Sequence, residues 1–91
     1  MIRIVIAEDQ SLLRGALASL LGLEADFDIV AQASDGADAM RQIERLKPDV
    51  LVTDIEMPGL TGIELAEQVR RKAPATRVMI CLLYTSDAAD E

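Results

Sequence analysis

The sequence predicts an α/β fold, a doubly wound parallel sheet, on three observations. Short β-branched runs alternate with stretches of helical period, the runs are apolar on both faces, and no linker or repeat interrupts the order βαβαβαβ. Strands apolar on both faces need cover on both, which alternating helices give a parallel sheet. Right-handed crossovers then restrict the topology to a doubly wound form.

Each element follows from its residues. Residues 3–7 are a β-branched run ending at acids, short enough for a buried strand. Ser11 is placed to cap a helix in which Leu13, Ala16, Leu17, Leu20 and Leu21 recur at the i, i+3, i+4, i+7, i+8 spacing. Residues 27–33 form the second strand. Asp35-Gly36 punctuates the chain before a helix with Ala39, Met40, Ile43 and Leu46 on one face, and Lys47-Pro48-Asp49 stops it. Residues 50–53 are the third strand. Pro58 and Gly59 make a turn, and Gly62 opens a helix expected to turn Ile63, Ala66, Val69 and Ala73 inward. Pro74 ends it, and residues 77–80 begin a fourth strand.

Composition narrows the function. With 91 residues there is room for one small domain. Phe27 and Tyr84 are its only aromatic residues, so the core must be aliphatic. Sixteen acids against nine bases, a net charge of -7, argue against non-specific nucleic-acid binding by this segment, because no basic stripe exists to meet phosphates. A lone Cys81 excludes an internal disulfide and a Cys-based metal site, and the lack of histidine removes His-ligated zinc and His acid/base chemistry. No apolar run approaches the ~20 residues of a membrane span. The first residues are too short a run for a secretion signal. A soluble cytoplasmic domain with no membrane partner is expected.

The chemistry gathers at strand ends. In doubly wound sheets ligands collect at the carboxyl ends of the strands, at the topological switch point. The first strand ends in Glu8-Asp9 and the third in Asp54. If those strands are neighbours in register, three carboxylates converge on one pocket. Like charges so close raise pKa values or demand a cation. With only oxygen ligands available, a hard cation such as Mg2+ is the natural answer. Glu56, two residues on, could add a backbone carbonyl. One acid at a strand end is as readily an N-cap or turn former. Three at the ends of adjacent strands favour a site. Asp35 and Asp49, each beside a helix boundary, read as turn chemistry.

An ordered set of motifs carries a resemblance. Glu8-Asp9 follows the first strand and Asp35-Gly36 precedes the second helix. Pro48-Asp49-Val50 then leads to Asp54-Ile55-Glu56-Met57-Pro58-Gly59, with Gly62 beyond. Over residues 1–80 the chain resembles the receiver domain of bacterial two-component response regulators. Residues 10–39 look most like receivers joined to a LuxR-type DNA-binding output. The resemblance implies a flavodoxin-like receiver with strand order 2-1-3-4, the fifth strand and last helices missing. It implies Asp54 as phosphoacceptor, Asp9 as a direct Mg2+ ligand and Glu8 as its companion, often through water. The Glu56 position supplies a backbone carbonyl to the metal, while Pro58 and Gly62 shape the following loop. A sensor histidine kinase is the implied partner. A receiver homodimer is compatible with the family, and DNA would be met only through an output domain absent from this chain. The chain is expected to be a signalling phosphoprotein and not an enzyme.

Departures matter as well. The family pattern expects a Thr or Ser ending the fourth strand and a Lys ending the fifth, and neither is identified. Residues 81–91 break the helix and strand logic. Read back into codons, they resemble one frame of a transposon-end adapter used in sequencing libraries, so they are read as a non-native tail. The plainer alternative is a natural strand end and polar loop. Other functions fit the residues less well. A pseudo-receiver, an interaction module of this fold that is never phosphorylated, is opposed by the intact Glu8, Asp9 and Asp54. A metal-dependent phosphatase of the dehalogenase type would want a second Asp where Glu56 stands and Thr or Val where Pro58 stands.

Overall fold

The computed structural model describes residues 1–81. In chain order the elements are β1 (Ile2–Ala7), α1 (Ser11–Gly22), β2 (Phe27–Ala33), α2 (Gly36–Leu46), β3 (Val50–Asp54), α3 (Gly62–Lys72) and β4 (Arg77–Cys81). All strand pairs are parallel, in the order β2-β1-β3-β4. The doubly wound sheet and its expected order are therefore present. Of the expected tail, Cys81 closes β4 and the rest lies outside the described residues.

The two faces of the sheet are covered unequally. On one, α2 and α3 bury Val5, Ala7, Ala33, Leu51, Ala39, Met40, Ile43, Leu65 and Val69 in a continuous core. On the other, α1 covers Ile4, Ile6 and Val52 with Leu17, Ala18 and Leu21. The alternation Ile4/Ile6 against Val5/Ala7 is the strand period of two dividing one run between two cores.

Helix ends show where local chemistry acts. Asp35 caps α2, its Oδ1 accepting from the Asp38 backbone N–H at 2.8 Å. Lys47 ends α2 in the left-handed region at φ 49°. Arg3 secures that end by donating to the Leu46 and Lys47 carbonyls, and Asp49 accepts from the Arg3 N–H at 2.8 Å. Thr61 and Glu64 form a capping box at α3, each side chain accepting from the other's backbone N–H.

Three expectations need correction. Ser11 does not cap α1; Gln10 holds the cap position and makes no side-chain bond there. Ala16 and Leu20 are exposed, and the α1 residues packed against the sheet are Leu17, Ala18 and Leu21. In α3 Leu65 is fully buried while Ile63 is 54% exposed. Ile63 shares its face with Glu67 and Arg70, which pair with each other at 2.6 Å in water.

Candidate functional site

The chain steps from β1 out to β2 and back across to β3, so the switch point lies between β1 and β3. Ala7 pairs with Thr53, which brings Glu8 and Asp54 out of the sheet side by side. One carboxylate oxygen from each of Glu8, Asp9 and Asp54 lies within 4.8 Å of the others. Their burial is graded: Glu8 is fully buried, Asp54 half-buried and Asp9 exposed. The trio therefore runs from a buried carboxylate to one open to solvent.

Glu8 is the most constrained of the three. Its N–H continues the sheet ladder to the Ala33 carbonyl at 3.0 Å, and its own carbonyl accepts from Arg14 Nη1 at 2.9 Å. Oε2 accepts from the Gln10 N–H at 2.9 Å, but the buried Oε1 has no partner among the described residues. Burial pushes the Glu8 carboxyl above its ordinary range; the Gln10 N–H opposes this, while the negative charges of Asp54 and Asp9 add to it. An unpaired buried carboxylate oxygen is costly and calls for a cation or a water.

Asp54 ends β3 with its Oδ1 held by the Ile55 N–H at 2.8 Å. The Thr53 hydroxyl donates to the Asp54 carbonyl at 3.0 Å. Behind it the start of α3 comes close. The Gly62 N–H donates to the Ile55 carbonyl at 2.9 Å. A Cβ on Gly62 would overlap the Asp54 carbonyl oxygen and sit 2.9 Å from the Ile55 Cα, so only glycine fits. Gly59 at φ 80° makes the turn that glycine tolerates best.

Of the expected ligands, Glu8, Asp9 and Asp54 are brought together. The Glu56 carboxylate is exposed and outside the group; its expected part was a backbone carbonyl. Asp35 and Asp49 are elsewhere, occupied at a helix cap and a strand start. The roles of Arg14 and Gln10 around Glu8 carried no signal in the sequence. Thr61-x-x-Glu64 did carry one, the spacing of a capping box, and it was missed. Cys81 stands opposite Asp54 in the β3–β4 register. Burial and then the Asp54 charge push its thiol pKa up. The oxygen-only trio and the orphaned Glu8 Oε1 fit a hard divalent cation such as Mg2+.

The model of the response regulator receiver domain matches residues 4–90. The chain belongs to this family. The receiver is 48% identical over 84 residues to YvfU of Bacillus subtilis, a transcriptional regulatory protein, covering 92% of this chain and 42% of that one. It is 51% identical over 70 residues to the transcriptional regulatory protein DesR of the same species, covering 77% of this chain and 35% of that one. Among solved structures, a LuxR-family DNA-binding response regulator from Staphylococcus aureus superposes with a TM-score of 0.82 at 44% identity. That match covers 88% of the receiver and 67% of the solved chain. The receiver thus spans less than half the length of these curated relatives. No helix among the described residues is long and apolar enough to cross a membrane.

Proposed function

We propose that this receiver accepts a phosphoryl group from a sensor histidine kinase onto Asp54, with Mg2+ in the acidic pocket. The observation that carries the reading is the convergence of Glu8, Asp9 and Asp54, one carboxylate oxygen of each lying within 4.8 Å of the others, together with a buried Glu8 Oε1 that has no partner among the described residues. Asp9 and Asp54 would bind the cation directly, Glu8 through water or directly, and Glu56 through its backbone carbonyl. Bound there, Mg2+ neutralises the charge gathered by the carboxylates and the incoming phosphoryl oxygens.

The residues do the rest. The Ile55 N–H orients the Asp54 carboxylate through Oδ1. An Asp54 oxygen attacks phosphorus in line, the P–N bond to the kinase imidazole breaks, and its electron pair stays on that nitrogen. Asp54 then carries an acyl phosphate, whose added charge beside the β3–α3 loop biases the loop between two arrangements. Such a chain is a phosphoacceptor in the cytoplasm and not an enzyme in its own right. Transcriptional output, contact with DNA and pairing of receivers would belong to the longer protein that relatives of this kind have.

Calorimetric Mg2+ titration tests the pocket. Asp9→Ala should weaken binding far more than Asp35→Ala, whose carboxylate caps a helix. Equal losses would place the cation elsewhere.

A further inference from the structure

We propose that the contact between Gly36 and Leu60 is a positioning device for the acidic pocket, holding the loop after Asp54 in the shape that metal binding needs. This rests on the Mg2+ reading above and extends it to two residues outside the pocket.

Gly36 is the buried first residue of α2, fixed between the Asp35 cap and the helix. A Cβ built on it would stand 2.6 Å from Leu60 Cβ, 2.8 Å from Cδ2 and 3.0 Å from Cγ. Rotation can move Cδ2, but no rotamer moves Leu60 Cβ, which travels only with the backbone. Leu60 lies in the segment 55–61 that leaves Asp54 directly and carries Glu56. That segment is pinned at its base by the Gly62 N–H to Ile55 carbonyl bond. It is pinned in the middle by Met57, which is buried in the core, and on its far side by Leu60 against Gly36. A push at Leu60 is resisted at both ends of the loop, and relief by the loop backbone falls on the stretch between Asp54 and Leu60 that includes Glu56. Residues of this outer kind orient the ligands that touch a metal.

The bland alternative is a packing contact that matters to stability alone. The full chain with Gly36→Ala, Leu60→Gly, both changes, or Gly15→Ala separates the two; Gly15 has nothing within 4 Å of an added Cβ. Mg2+ affinity is read by titration, and amide hydrogen exchange over residues 55–61 is read without metal. Gly36→Ala should weaken Mg2+ binding about tenfold and speed loop exchange, while Gly15→Ala does neither. Leu60→Gly releases the loop without crowding anything, and should do both as well. Adding Gly36→Ala to Leu60→Gly should change neither quantity further. A Gly36→Ala protein with a lower melting temperature but wild-type affinity and loop exchange overturns the proposal. So does a Gly36→Ala loss that persists undiminished in the Leu60→Gly background. Leu60→Gly with no effect on either quantity overturns it whatever Gly36→Ala does. A wild-type chain that fails to bind Mg2+ overturns the functional reading and this one with it, and the metal-free exchange data still report whether the contact holds the loop.

Discussion

Replacing Asp54 by Asn should stabilise the metal-free protein while destroying its response to Mg2+. The carboxylate oxygens of Glu8, Asp9 and Asp54 lie within 4.8 Å of one another. At that range two unit charges in an effective dielectric of about 20 repel by about 3 kcal/mol. Water screens the exposed Asp9, so the Glu8–Asp54 pair dominates. Glu8 relieves part of the repulsion by holding its proton more tightly, which lowers the recoverable amount. A gain of about 1–3 kcal/mol remains. Asn keeps an oxygen for the Ile55 N–H, so the loop bond survives. In a domain of this size the gain corresponds to a melting temperature higher by about 5–20 °C. Thermal unfolding followed by circular dichroism in EDTA at neutral pH measures it. Added Mg2+ should then raise the wild-type melting temperature much more than that of Asp54→Asn. An Asp54→Asn variant that melts no higher than wild type in EDTA would refute the claim that these acids repel one another in the folded state.

Three further predictions concern pH and packing. Because the folded state raises the Glu8 pKa above its ordinary 4.5, the folded protein binds that proton more tightly than the unfolded chain. The resulting stability is fully present below pH 4.5 and is lost as pH rises through the folded value, so metal-free urea midpoints should fall over that window. Glu8→Gln should flatten the fall; an unchanged slope would assign it to another group. Gly62→Ala should cost about 1–3 kcal/mol and weaken Mg2+ binding, since the clash falls on backbone atoms of Asp54 and Ile55. Wild-type stability and affinity in that variant would mean that the close approach of α3 is not required. Leu65→Ala should cost about 2–5 kcal/mol, whereas the exposed Ile63→Ala should cost under about 1 kcal/mol; denaturant melts yielding the reverse order would mean α3 is rotated.

Most of the fold was legible because burial leaves a period in the chain. The runs at β1 and β3 read as strands since both of their faces are buried, and the acids at their ends are the ones that the fold brings together. The face of α3 was misread for a physical reason. Ile63, Leu65, Ala66 and Val69 are all apolar and spread over about 160° of the helix, so hydrophobicity alone does not fix which part of that arc faces the sheet. The capping box at Thr61 and the charges at Glu67 and Arg70 settle it, because a paired Glu and Arg need water. The α1 stripe was overdrawn because periodicity reports which residues are able to face a sheet, not how much sheet lies beneath them. The Gly36–Leu60 contact could not be read at all. It joins residues 24 positions apart through backbone geometry, and glycine's small size leaves no periodic trace.

The measurement that bears most directly on the central claim is phosphorylation itself. The chain is incubated with acetyl phosphate and Mg2+, and intact mass and peptide mapping locate any added group. One hydroxylamine-labile phosphoryl group should appear on Asp54, depend on Mg2+, and vanish in Asp54→Asn. A wild-type chain that stays unmodified, or an Asp54→Asn chain that still gains the group, would contradict the account.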